Sequence, residues 1–211
     1  TLSVALLNSQ LCNVTQSILV AEGTYYPTGE QSGINRDQTF LIFRGGLKIY
    51  GGYPAGGGSR NIAAYPTILS GNIGNPNSTT DNSNHVLAVA GLAAGADSVV
   101  VDGLTLTGGN ATGNNGNVLL NGASVDRLNG AGAITADNNG NTKIAFRNCT
   151  FYLNSASAGG GLYNKSSSPT IINCTFNNNS GGQGGGMFNY FSLPILTNCT
   201  FSNNSSTSGL G

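Results

Sequence analysis

Charge is what this chain has least of. Asp, Glu, Lys and Arg make up only 8% of its 211 residues, against about 25% in an average globular domain. Eight basic side chains balance eight acidic ones, so there is no net field to attract nucleic acid or an anionic membrane. No run of 18 apolar residues is present, and no direct membrane insertion is expected. Runs at helical spacing are missing from the C-terminal half, where Gly and Asn, both weak helix formers, stand in the places Lys and Glu usually take. The one histidine, His85, has no Ser or Cys nucleophile motif beside it and reads as entry into a strand. From Ile144 to Gly211 there is no Asp or Glu at all. That removes from this stretch both the paired carboxylates of a glycosidase and the acidic calcium cluster of a polysaccharide lyase. Elsewhere Asp97, Asp126 (beside Arg127) and Asp137 are scattered. Asp102 and Arg147 hold equivalent positions in successive repeats, which predicts an exposed ion pair. No cofactor, metal or catalytic constellation is expected, and the chain reads as a non-enzyme.

What is present is repetition. The segments RNCTFYLN, INCTFNNN and TNCTFSNN place Asn148, Asn173 and Asn198 every 25 residues. GGGLYN at Gly159–Asn164 recurs as GGGMFN at Gly184–Asn189, Pro169 recurs as Pro194, and Gly209 opens a further copy in the closing SGLG. IAFRNCTFYLNSA aligns without gaps on the upstream VVVDGLTLTGGNA, which is one repeat plus an insertion. A fixed period of this length marks a solenoid. Val101, Phe146, Ile171 and Leu196 form one apolar column; Leu104, Cys149, Cys174 and Cys199 form a second; Leu106, Phe151, Phe176 and Phe201 form a third. Between the first two stand Gly103, Asn148, Asn173 and Asn198, where alternation breaks. Two short strands joined by a bend in left-handed backbone fit this pattern. The expected fold is all-β: a right-handed parallel β-helix of ~25-residue coils, with Asn148, Asn173 and Asn198 as an amide ladder.

TLSVALLNSQ at the start fits a short amphipathic helix with Leu2, Ala5 and Leu6 on one face, capping the strand edge that a solenoid otherwise exposes. SILVAEGTYYP, TFLIFRGGLKIYGG, PTILSG and HVLAVA supply further strands. The domain plan is one β-helix over residues 1–211, with a cap at 1–16, an inserted hairpin or loop at 112–129, and a C-terminus that breaks off within a coil, as in a fragment of a larger protein. Asn121-Gly122 between apolar runs is the hairpin signal. The insertion is as suited to carrying specificity as to covering a coil face.

The cysteines Cys149, Cys174 and Cys199 read as core packing, because Leu104 fills the same column; a disulfide or a metal ladder is the alternative. Cys12, near the cap, is uninformative. Outward-facing candidates are the Thr rank Thr105, Thr150, Thr175 and Thr200, with Tyr152 alongside, and the aromatic pair Tyr163 over Phe188. Alternation puts Leu162 and Met187 inside and Tyr163 and Phe188 outside, where aromatic rings can stack on sugars or be covered by loops. A Thr rank is also what an ice-binding face presents, but the neighbouring rank is Thr107, Tyr152, Asn177 and Ser202. Asn-x-Ser/Thr triplets at Asn13, Asn77, Asn110 and Asn203 are those a composition this rich in Asn, Ser and Thr produces by chance.

The Phe-x-x-Asn runs and the GGGLY, GGGMF and GAGAI segments resemble the repeats of chlamydial polymorphic outer-membrane proteins, surface adhesins with β-helical passenger domains. Leu162 and Met187 depart from that pattern by following a third Gly rather than Ala. VAEGTYYPTG, LKIYGGYPAGG, AAYPTILSGNIG and DNSNHVL resemble right-handed parallel β-helix proteins of Bacteroidota, exported by type IX secretion. The resemblance implies a secreted or cell-surface module in an adhesion, recognition or stalk role. Its implied partners are glycans or other surface and secretion-machinery proteins. A polysaccharide-active or carbohydrate-binding β-helix and an ice-binding solenoid are the alternatives.

Overall fold

The structure, a computed structural model, describes residues 1–11, 16–27, 35–93, 97–113, 115–136 and 143–208. Cys12, Asn13, Asp137 and Gly209 lie outside the described residues. The chain winds as a right-handed parallel β-helix whose only described α-helix sits at the N-terminus. Equivalent strands of successive coils pair in parallel to form the walls. The first wall stacks Gln16–Ala21, Leu47–Tyr53, Val99–Asp102, Ile144–Arg147, Thr170–Ile172 and Ile195–Thr197. The second stacks Gly23–Tyr25, Thr67–Ser70, Leu104–Thr107, Thr150–Tyr152, Thr175–Asn177 and Thr200–Ser202. A third, short wall runs from Asn110–Ala111 through Ser155–Ala158 and Ser180–Gln183 to Ser205–Ser206. The fourth stacks Phe40–Ile42, Leu87–Ala90, Ala133–Ala136, Leu162–Lys165 and Met187–Tyr190.

Register follows the sequence columns. Val101, Phe146, Ile171 and Leu196 are successive partners, and so are Leu106, Phe151, Phe176 and Phe201. The rings of Phe151, Phe176 and Phe201 stack face to face at 4.5 Å, close to the ~4.8 Å between neighbouring strands. Phe146 meets Phe151 edge-on at 5.6 Å. Cys149 and Cys174 are buried free thiols beside these rings, and Cys199 is half-buried in the last coil. The column is therefore packing, with each sulfur donating weakly to a backbone carbonyl, Cys149 to Arg147 and Cys174 to Ile172.

At the bend between the first and second walls, Asn148, Asn173 and Asn198 sit at φ 50, 54 and 51°, and Gly103 at 73°. Asn tolerates this region because its short amide bonds locally. Here the amides also bond to each other: Asn198 Nδ2 donates to Asn173 Oδ1 at 2.8 Å and Asn173 Nδ2 to Asn148 Oδ1 at 3.2 Å. Asn148 Nδ2 in turn donates to Asp102 Oδ1 at 3.0 Å. Asp102 does not pair with Arg147. It is buried at 6% exposure and meets Arg60 Nη2 at 2.5 Å. Arg60 comes from the loop after Leu47–Tyr53 and also donates to Gly51 O.

A second ladder, inside the solenoid, carries more bonds. Asn154, Asn179 and Asn204 are the Asn of each Phe-x-x-Asn run. Asn179 Oδ1 accepts from both the backbone N–H and the Nδ2 of Asn154, and Asn204 Oδ1 does the same for Asn179. Their Nδ2 groups also reach back to Leu106 O, Phe151 O and Phe176 O. Asn154 and Asn179 are each 1% exposed, so these bonds satisfy corner groups that water cannot reach.

The cap is the helix α1, Leu2–Gln10, with Thr1 Oγ1 accepting from Val4 N–H. Leu2 and Leu6 are buried, while Ala5 is exposed. Gln10 blocks the edge of Phe40–Ile42 directly: its Nε2 donates to Leu41 O at 2.9 Å and its Oε1 accepts from Phe43 N–H at 2.6 Å. Asn179→Ala is expected to destabilise the protein by about 3 kcal/mol, since it strands a buried N–H and carbonyls. Asn173→Gly, on the exposed ladder at positive φ, is expected to cost under ~1 kcal/mol. Denaturant titration of the two variants checks the ranking.

Candidate functional site

The insertion folds as an antiparallel hairpin, Asn117–Leu120 with Ala123–Asp126, turning at Asn121 (φ 44°) and Gly122 (φ 79°). Two positive φ values in a two-residue loop match the twist of the flanking strands. Val118, Leu120, Ala123 and Val125 face inward onto Ala88, Ala90, Ile134, Ala136 and Tyr163, making a second apolar cluster outside the solenoid wall. This corrects the placement of Tyr163 on an open binding surface. Alternation does turn Tyr163 away from the solenoid core, but the hairpin covers it to 6% exposure. Burial raises its phenol pKa. Phe188 stacks on it at 5.7 Å and stays half-buried. Leu162 lies in the core and Met187 packs against it.

The hairpin root is held by most of the charge in its vicinity. Arg127 Nε and Nη2 donate to the two oxygens of Asp37 at 2.7 and 2.8 Å, and Asn84 Nδ2 donates to Asp37 Oδ1 at 3.0 Å. Asp37 is 1% exposed. Lys165 Nζ reaches Ser124 O at 3.1 Å from below. His85 is fully enclosed, and its Nδ1 lies 3.2 Å from Gly130 O. A carbonyl only accepts, so Nδ1 carries the proton. Burial lowers the His85 pKa to about 4, against smaller opposing contributions from the Gly130 bond, Asp37 and Asp126.

The outward face of the second wall is uncharged among its last four strands. Thr105, Thr150, Thr175 and Thr200 are register partners on the second wall, continued toward the N-terminus by Ile68 and Thr24. Thr200 is exposed and the other three are half-buried. Thr107, Tyr152, Asn177 and Ser202 form the parallel rank, with Tyr152 36% exposed. At the corner after this wall, a loop spanning residues 72–86 lies beside an open cavity of about 220 Å³, to which it contributes Thr79 and Asn82. Arg36 ties that loop down, with Nε on Asn82 O at 2.8 Å, Nη1 on Thr112 O at 3.1 Å and Nη2 on Asn110 O. The corner cavity was not legible in sequence. Its one signal is Leu153, an apolar residue where the neighbouring repeats carry Gly108, Asn178 and Asn203.

Among the described residues no group of three or more His, Cys, Asp or Glu is placed to hold a metal ion, and no helix is long and apolar enough to cross a membrane. No protein-family model matches the chain, and neither a curated protein nor a solved structure matches it.

Two consequences are measurable. Tyr163→Ala is expected to cost about 3 kcal/mol by opening a void under the hairpin, read by thermal or denaturant unfolding. His85 has a folded pKa below its unfolded value of ~6.5, so the unfolded chain binds the extra proton and stability falls as pH drops from ~6.5 toward 4, by about 3 kcal/mol in total. His85→Gln is expected to flatten that slope in unfolding measured at pH 7, 5.5 and 4.

Proposed function

We propose that the chain is a non-catalytic recognition module of a large secreted or surface-displayed bacterial protein, engaging glycans or other surface molecules through its side faces. The carrying observation is how the reactive side chains are used. Asp37 with Arg127 and Asp102 with Arg60 hold loops to the solenoid, His85 is sealed under the hairpin root, and Cys149 and Cys174 are core. The remaining surface offers Thr, Asn, Ser and aromatic groups on rigid, evenly spaced ranks, a chemistry suited to hydrogen bonding and stacking. The Phe-x-x-Asn resemblance supports a secreted or surface setting and an adhesive role.

The Thr105–Thr150–Thr175–Thr200 rank favours ice binding as a second reading. The neighbouring rank weighs against it, because Tyr152 interrupts a row that would need to match a lattice. Thermal hysteresis by the purified protein would support that second reading.

The test is an array of whole glycans and a cell-binding assay with the full chain, run beside a polysaccharide-cleavage assay. Retention on glycans or cells, insensitive to a chelator and without product release, is the expected result. Release of reducing or unsaturated sugar ends would overturn it in favour of a polysaccharide-active enzyme. Failure to bind either array or cells would also overturn it.

A further inference from the structure

We propose that the corner cavity between the second and third walls is a binding site for a single neutral pyranose ring, deepening, and resting on, the glycan-recognition reading above. Its polar lining comes from Thr79, Asn82, Asn110, Thr112 and Ser155, with Leu153 at the rim. None of these is charged. Gly108 and Gly109 line it as well, and at Gly109 a side chain is excluded, since a Cβ there would come within 2.0 Å of Ala131 O. At about 220 Å³ it is smaller than the ~300–1,000 Å³ of drug-sized sites, which suits one ring rather than an oligomer.

The walls are built before any ligand arrives. Asn110 Nδ2 donates to Thr79 O at 2.6 Å, Asn82 Nδ2 to Gly108 O at 2.7 Å, and Asn110 N–H to Ser83 O at 2.8 Å. Behind them Arg36 binds three carbonyls from both sides of the cavity. Such a scaffold loses little freedom on binding, which is where weak polar sites usually forfeit affinity.

A second, independent feature lies at the same spot. The corner position is Gly108 in the preceding coil and Asn178 and Asn203 in the two following coils, all at positive φ. At the cavity it is Leu153, held at φ 52° with its side chain 54% exposed. The residue before it is Tyr152, where the other coils carry Thr107, Asn177 and Ser202. An aliphatic residue in left-handed backbone is strained, and its exposure means that core burial does not compensate it. Strain of this kind clusters at functional positions. Hydroxyls and carboxamides in the lining with an aliphatic residue at the rim are the complement of a sugar, whose edge bears hydroxyls and whose ring face presents C–H groups.

The test uses the full chain and a panel of methyl pyranosides of neutral hexoses and N-acetylhexosamines, with methyl glucuronide as the charged comparator, read by saturation-transfer NMR and calorimetry. At least one neutral pyranoside is expected to bind at about millimolar Kd, the range a single small ring reaches. Leu153→Asn, which restores the residue other coils use, is expected to weaken it at least tenfold while leaving the unfolding midpoint unchanged or higher. Thr112→Val is expected to weaken it too. Binding unchanged in both variants would overturn the site, as would preference for the glucuronide or no pyranoside binding at all. If the whole-glycan array stays positive in any of those cases, the recognition reading stands and only the cavity assignment falls.

Discussion

Everything in this molecule depends on one constraint: each side chain must tolerate a copy of its own position about 4.8 Å away. Aromatic rings meet that demand by lying flat on each other, as Phe151, Phe176 and Phe201 do. Amides meet it by donating to one neighbouring coil and accepting from the other, toward the next coil in the inner ladder and toward the previous one in the outer. Charged groups fail it, because like charges stacked at that spacing repel. The low charge of the chain and its wealth of Asn are thus two sides of the same requirement. The inner ladder of Asn154, Asn179 and Asn204 matters most, since it makes good backbone groups at a buried corner where no strand partner exists.

The paired charges act where repetition stops. Asp102 ends the outer Asn ladder at the first coil that has Gly103 instead of Asn, and Arg60 crosses from a loop to meet it. Asp37 and Arg127 join a loop to the hairpin root across 90 residues of sequence. Arg36 fastens the loop beside the corner cavity. Non-repeating structure is clamped by ionic and charge-assisted bonds, and repeating structure by stacking. This division leaves the Thr-bearing face of the second wall uncharged and polar in its last four strands.

Much of the fold could be read from the sequence because its key contacts are periodic. The Val101, Leu104 and Leu106 columns, the left-handed Asn148 bend and the hairpin at Asn121-Gly122 all follow from local pattern. The inner Asn ladder was missed although Asn154 recurs as strictly as Asn148. The left-handed residue at Leu153 resets the alternation after Phe151 and turns Asn154 inward, and period-2 counting does not anticipate that reset. Tyr163 was placed on the correct side of its strand but not beneath its cover, because docking of the hairpin is a tertiary event. Asp102 faces Arg147 in register, yet the partner it takes, Arg60, is aperiodic. The candidate site was least legible for the same reason: Thr79 and Asn82, which close one side of it, come from the loop at 72–86, and Arg36 fastens that loop, and neither repeats.

The stacking claim is tested most directly by hydrogen exchange at the corner amides. The backbone N–H groups of Gly109, Asn154 and Asn179 donate to Asn side-chain oxygens in the buried ladder. Residue-resolved exchange by NMR is expected to find them protected as strongly as the strand amides of Phe151 and Phe176, opening only with global unfolding. Exchange at the rate of exposed loop amides such as those around Asn77 would contradict the ladder as the element that holds the coils in register.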